Sequence, residues 1–446
     1  MKVDATRERG KETSGGRGIF FGWWVMLASF VGMVFGTAAV LVFSLGVFVQ
    51  PLQQEFGWSR AQISVAAAII VWISVLTQPI QGILIDRFGV RRVVLPSIPI
   101  FTIALALLYF LPASIYAFYA AWIVITICGL ALWNGSYNKV MVAWFDRRLG
   151  LAVGIVSAGQ GAGAALVPAI SQFLVSHVGW RLAYVGLAAI TLVVTLAFNL
   201  PLLRDKPADK GLRPDGDTEP HATTLAHMAY DAGLTFREAV KRRAFWIIAV
   251  AFFLLGTMST AIVTHQIPML IDAGLPAQKA AFVASAFGIS LIVGRLVAGF
   301  LLDWIFAPYV MMVTLLGPIV GLVMYAHGST GEIAFLWSAC IGFGVGAEFD
   351  VLGYLIPRYF GRQAFGKLYG VLLAAFQFGG GIGAAVLGVV RTNTGNYTPG
   401  LWGIATTTFL ALLLFATLGP YPVRVRSVEP GEDFDSARRV GTRSIP

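Results

Sequence analysis

Gly82-Ile83-Leu84-Ile85-Asp86-Arg87-Phe88-Gly89-Val90-Arg91-Arg92 is a short polar turn between long apolar runs, and part of it recurs 217 positions later. At that offset Gly299 falls on Gly82 and Asp303 on Asp86, while Pro51 meets Pro268, Glu55 meets Asp272 and Gly57 meets Gly274. The chain is a duplicated unit. Farther along, Gln160 pairs with Gln377 at 217, and Trp144-Phe145 with Tyr359-Phe360 at 215, the wobble of a small indel. Arg295 falls on Gln78, so the second copy holds a charge where the first holds a neutral amide.

The apolar runs around this turn decide the class. With 57% hydrophobic and 12% charged residues among 446, the chain has too few polar side chains to clothe a soluble domain of its length. Twelve runs come close to the roughly 20 residues that cross a bilayer. They lie near 20–48, 61–85, 93–111, 116–143, 149–174, 181–200, 244–270, 278–302, 307–327, 332–357, 366–390 and 398–420. The expected fold is an all-α integral membrane protein of two six-helix bundles, residues 19–203 and 244–420, since barrel strands would be about 10 residues long and alternating. Residues 204–243, rich in Asp, Lys and Pro, read as a linker, and residues 1–18 and 421–446 as polar tails, the first disordered. The first apolar run is too long for a signal-peptide core and reads as a retained helix.

Of the 32 Lys and Arg residues, 26 fall on one face, four on the other (Arg60, Arg181, Lys279, Arg391), and Lys139 and Arg295 lie within spans. This asymmetry puts both termini and the linker on the cytoplasmic side of a cell membrane. It also accounts for the net charge of +10 without invoking nucleic acid. Cys128 and Cys340 sit in separate spans and suggest neither a disulfide nor a metal site, and five scattered histidines supply no ligand cluster. Neither a cofactor nor catalysis is implied. The glycine runs 159–163 and 379–383 follow no strand and precede no Lys-Ser/Thr pair, so they read as helix packing rather than phosphate loops. No obligate protein partner is evident; the expected partners are the bilayer, a small organic anion and a proton.

The 82–92 stretch resembles the signature between the second and third helices of the major facilitator superfamily. Residues 46–60, Trp144 to Gly154 and Gly294-Arg295-Leu296-Val297-Ala298-Gly299 resemble its monocarboxylate porter branch and oxalate:formate antiporter relatives. The resemblance implies alternating access, with Asp86, Arg87, Arg91 and Asp303 holding one end shut. By repeat position Asp86 meets the eleventh span near Gly366, and Asp303 the fifth near Gly150; Pro308-Tyr309 replaces the arginines of the second copy. It also implies that Arg295 binds the substrate carboxylate. Three features depart from these relatives. Phe376 stands where the antiporter has a lysine, Leu291 and Phe43 stand where animal monocarboxylate transporters have an acid and a lysine, and Phe21-Gly22-Trp23-Trp24 replaces the acidic entry to the first helix.

A charge inside the hydrocarbon costs about 2.5–3.5 kcal/mol on insertion scales, so each such residue needs a partner or a role. Arg295 lies eight residues from Asp303, roughly 12 Å deep, and reads as the carboxylate clamp, with a permanent pair to Glu348 as the alternative. Glu348 and Asp350 are about 200° apart on a helix, so one faces the pathway and one the packing. Asp350 shares its side with Gly346 and Gly353, which leaves Glu348 as the better proton carrier. Substrate reaching Arg295 would compete with Glu348 and favour its protonation. Lys139, five residues from Trp144, is expected to snorkel to the boundary. Asn134, Tyr137, Gln78 and Gln377 are the candidate polar lining, and Phe376 an apolar wall. The function expected is proton-coupled transport of a small monocarboxylate; the alternatives are anion exchange or export of a larger amphipathic compound.

Overall fold

The computed structural model describes residues 19–216, 233–328 and 331–421. The two tails, and part of the linker, lie outside these residues. Every described element is helical. Among the described residues ten helices are long and apolar enough to cross a membrane; one of them carries two spans, and an interrupted helix outside the ten supplies the twelfth. Leu149–Leu202 carries the fifth and sixth spans, joined at Gly179, whose φ of 77° breaks the helix without a loop. The fourth span is two pieces, Ile115–Cys128 and Asn134–Trp144, around a 3-10 turn at Leu130–Leu132.

That interruption meets another. The first span runs as an α-helix over Phe21–Val34, becomes a π-helix over Ala38–Phe43, and resumes over Leu45–Phe56. Where the two irregular stretches touch, the Thr37 hydroxyl donates to the Gly129 carbonyl at 2.6 Å, a second bond beside the one that carbonyl accepts from the Leu132 amide at 3.0 Å, so the two breaks are tied together. A β-carbon at Gly36 would lie 2.8 Å from the Leu132 carbonyl oxygen, so only glycine admits this approach. The break leaves Asn134 at the start of a half-helix in mid-membrane.

The two halves meet through paired crossings of spans two with eleven and five with eight. A β-carbon at Gly366 would lie 2.6 Å from the Gly82 carbonyl oxygen, and one at Gly299 2.7 Å from that of Gly150. The crossings are backbone on backbone, which small residues allow in a membrane. Gly82 and Gly299 are the two copies of one repeat position, so the same contact was built twice.

Candidate functional site

Asp86 and Asp303 close these crossings. Asp86 accepts from the backbone amides of Gly366 and Lys367, both at 2.9 Å, and Asp303 from those of Gly150 at 2.6 Å and Leu151 at 3.0 Å. Each carboxylate therefore sits on the first turn of a helix in the other half, where unpaired N–H groups and the helix dipole favour a negative charge. These are the contacts the repeat register predicts. Asp303 is partly withdrawn from water beside the helix end, and burial holds its carboxyl above the ordinary carboxylate value against the pull of the two amides.

The other residues at this basic end depart from expectation. Lys139 does reach the boundary, and there its amine pairs with Asp86 at 2.7 Å and donates to the Ile85 carbonyl at 2.7 Å, a specific partner that the sequence reading did not name. Arg91 stays within its own half, donating to the carbonyls of Leu200 at 2.8 Å and Leu203 while its backbone amide binds Asp205 at 2.7 Å. Arg87 is exposed over the Phe88 ring. The cations that bridge the halves are instead Arg358 and Arg362, 3.6 and 3.8 Å from Asp146. No repeat position marked these two. From the linker, Asp215 accepts from the Asp146 and Arg147 amides at 3.0 and 2.9 Å.

Above this closed end lies a cavity of about 170 Å³ lined by both halves, with Gln78, Trp133, Asn134 and Gln160 facing Thr260, Phe349, Leu373 and Gln377. Gln78, Asn134 and Gln377 thus lie where the sequence reading put them. Both amide atoms of Gln78 are buried without a hydrogen-bond partner, a polar arm whose desolvation only water or a ligand offsets. Trp133 and Asn134 stand at the break in the fourth span. Interrupted helices of this kind present unpaired N–H groups to an anion.

Arg295 is 3% exposed and does not line the cavity. Its Nη1 donates to the Ser157 carbonyl at 2.6 Å, and its Nη2 to Gln160 Oε1 at 3.3 Å, so it stands one hydrogen bond behind the wall. Span five can hold it there because a β-carbon at Gly154 would lie only 2.9 Å from the Arg295 carbonyl oxygen, setting the two helices in contact one turn below Ser157. Among the described residues no carboxylate forms an ion pair with Arg295, so the alternative of a permanent pair with Glu348 is not formed. The guanidinium lies 5.8 Å from the Phe349 ring centroid, within range of a cation–π contact.

Neither intramembrane acid faces the cavity. Phe349 does, and at 100° per residue that turns Glu348 and Asp350 to either side of it. Glu348 points into its own half, where the Ser259 hydroxyl lies 2.8 and 2.7 Å from its oxygens. Asp350, expected to face mere packing, lies toward the boundary between the halves. Its neighbours Gly346 and Gly353 abut the Arg295 amide, 3.0 Å from a β-carbon at Gly346, and the Asn138 side-chain amide, 3.3 Å from one at Gly353. Both its oxygens are buried, with the Arg295 guanidinium and the Ser157 hydroxyl of the other half as the groups that act on them. Tyr137 also misses the cavity: its ring packs on Gly32 of the first span, and its buried hydroxyl is unpartnered. Asn138 instead crosses to the Tyr369 hydroxyl at 3.2 Å. Phe376 backs the wall, edge-on to Phe349 at 5.0 Å, and the wall itself is Phe349.

The family model described as Major Facilitator Superfamily matches residues 25–384. The chain belongs to the Major Facilitator Superfamily. It is 27% identical to mouse monocarboxylate transporter 11 over 399 residues, which cover 85% of this chain and 83% of that protein. It is 28% identical to bovine monocarboxylate transporter 13 and 25% to the Escherichia coli uncharacterized MFS-type transporter YhjX, covering 85% and 80% of this chain and 84% and 85% of theirs. Among solved structures, the proton:xylose symporter XylE superposes with a TM-score of 0.72 at 14% identity, covering 90% of this chain and 96% of that one. The E. coli fucose:proton symporter FucP superposes at 0.65 and 16%, over 88% and 98%. At these identities the structures establish the fold alone, while the sequence relatives place this superfamily member in the monocarboxylate porter branch. It is a multi-pass membrane transporter, not an enzyme.

Proposed function

We propose that this transporter carries a small organic monocarboxylate through a cell membrane by alternating access, coupled to a proton, with its basic end and both termini in the cytoplasm. The observation that carries the reading is a buried guanidinium that, among the described residues, makes no direct ion pair and stands one hydrogen bond behind a cavity shared by the two halves. An arginine that deep in hydrocarbon is stabilised by an anion arriving from the cavity. The cavity, at about 170 Å³, is below the roughly 300–1,000 Å³ of pockets for drug-sized ligands, which favours a short acid over a larger amphipathic cargo. A single arginine with Phe376 in place of a second cation favours one carboxylate over two. Asp350 and Glu348 are the proton sites, Asp350 nearer to Arg295 and Glu348 held by Ser259. Asp86 and Asp303 gate the cytoplasmic end, helped by Lys139, whereas Arg87 and Arg91 act on their own half.

The test is uptake of labelled lactate, pyruvate, formate, acetate and oxalate into proteoliposomes, with and without an inward proton gradient. Gradient-stimulated uptake of a monocarboxylate that disappears in Arg295→Gln is the expected result. Dominant oxalate exchange, or normal uptake by Arg295→Gln, overturns the reading.

A further inference from the structure

Gln160 is the point where three observations converge. It lines the cavity, its side-chain oxygen takes a hydrogen from Arg295 Nη2 at 3.3 Å, and the same oxygen takes one from Asn134 Nδ2 at 3.3 Å. The donor assignment follows from chemistry, because arginine can only donate, so the atom of Gln160 that meets it is the oxygen. Asn134 must then present its NH₂ group to that oxygen. Two donors, one charged and one neutral, are thus focused on a single oxygen atom at the cavity wall.

The repeat supplies an internal comparison. The counterpart of Arg295 is Gln78 and that of Gln160 is Gln377, and both counterparts line the cavity. Between them no such contact forms: both amide atoms of Gln78 are buried and unpartnered. Glutamines stand in the wall on both sides, but only where a cation waits behind it does a glutamine oxygen take a hydrogen bond from this repeat position.

We propose that Gln160 is a built-in stand-in for the substrate, its amide oxygen occupying the place that a carboxylate oxygen takes when the anion binds. The inference rests on Arg295 being the carboxylate's ligand. Without substrate Gln160 satisfies one guanidinium hydrogen and the Asn134 amide, which offsets part of the cost of burying the arginine. An arriving carboxylate, carrying a full charge, outcompetes the neutral amide for both donors, because charge-assisted hydrogen bonds are about twice as strong as neutral ones. The Gln160 side chain then swings off Arg295. Gln160 therefore sets affinity by competition, and its release tells span five that the site is filled.

The experiment compares Gln160→Ala and Gln160→Glu with the wild type, using pyruvate uptake in proteoliposomes and thermal unfolding in detergent without substrate. In Gln160→Ala the competitor is gone, and KM for pyruvate falls about fivefold with no rise in maximal rate, the share of one net hydrogen bond. In Gln160→Glu a tethered carboxylate pairs with Arg295. Uptake is lost, and Tm rises above the wild type with no ligand present. An unchanged or raised KM in Gln160→Ala, a wild-type KM in Gln160→Glu, or a Tm for Gln160→Glu no higher than the wild type each overturns the proposal. The unfolding comparison does so even if pyruvate is not carried. Failure of the underlying reading is distinct: Arg295→Gln that transports normally removes the clamp, whereas an inactive Arg295→Gln beside an unaltered Gln160→Ala leaves the clamp and removes the competition.

Discussion

Replacing Asp86 or Asp303 by asparagine separates the two copies of the gate by the number of partners each holds. Asparagine keeps one acceptor oxygen and turns an NH₂ toward the second backbone amide, so each substitution loses one hydrogen bond and weakens the other from charge-assisted to neutral. At the lower end of the about 1.5–3 kcal/mol for a bond to a charged group, and about 1 for a neutral one, Asp303→Asn costs the closed state about 2 kcal/mol. Asp86 has a third partner, the Lys139 amine at 2.7 Å in a half-buried pair, and its loss adds roughly 1 kcal/mol. At 1.4 kcal/mol per decade the open population rises about 30-fold for Asp303→Asn and about 150-fold for Asp86→Asn. Val153 reports the opening, because it is fully buried and lies 3.5 Å from the β-carbon position of Gly353 across the boundary between halves. With Cys128 and Cys340 changed to serine and Val153→Cys introduced, maleimide labelling from the basic end should follow that order. Equal rates, or a larger effect at Asp303, would refute the partner count. Unchanged rates in both would refute the claim that these carboxylates hold the end closed.

Three further outcomes test the framework. Gly366→Ala puts a methyl 2.6 Å from the Gly82 carbonyl oxygen and 2.7 Å from Asp86 Oδ1, so the same labelling should rise at least as much as in Asp86→Asn; a wild-type rate would mean the crossing is looser than the geometry requires. Ser259→Ala strips Glu348 of the hydroxyl at 2.8 and 2.7 Å, costs about 1–3 kcal/mol and lowers Tm, whereas Asp350→Asn removes a buried charge that attracts Arg295 and impairs proton-driven uptake; an unchanged Tm in Ser259→Ala, or normal gradient-driven uptake by Asp350→Asn, contradicts these roles. Thr37→Val unmakes the 2.6 Å bond to the Gly129 carbonyl, which keeps the Leu132 amide, so the loss should be that of one net hydrogen bond, about 1 kcal/mol in thermal unfolding; no loss would mean the bond does not hold the two breaks together.

The spans, the duplication and the two gate carboxylates were legible because each rests on a periodic or local signal: apolar length, a fixed offset, an acid after a glycine-bearing helix end. The breaks were not. Nothing in the apolar run from Phe21 to Phe56 announces a π-helix at Ala38–Phe43, since the irregularity is set by how Thr37 meets the equally irregular Gly129. The Glu348-Phe349-Asp350 triplet shows the second limit. Spacing fixed the angle between the acids, but which of the three side chains faces the cavity depends on the rotation of the whole helix, and packing against Leu291 and Arg295 sets that. Likewise the depth of Arg295 was readable from its distance to Asp303, while its place behind Gln160 required the neighbouring span.

The two glycine crossings join the same pair of rigid halves, which has a consequence for how the closed end yields. If the halves move as rigid bodies away from both crossings at once, the Asp86 and Asp303 contacts act in parallel on one opening. Their free energies then add and their effects on population multiply, and the double variant should open by the product of the single factors. On the proposed gating role the two carboxylates are two teeth of one bolt, and a double variant that opens no further than either single variant would show that they are not.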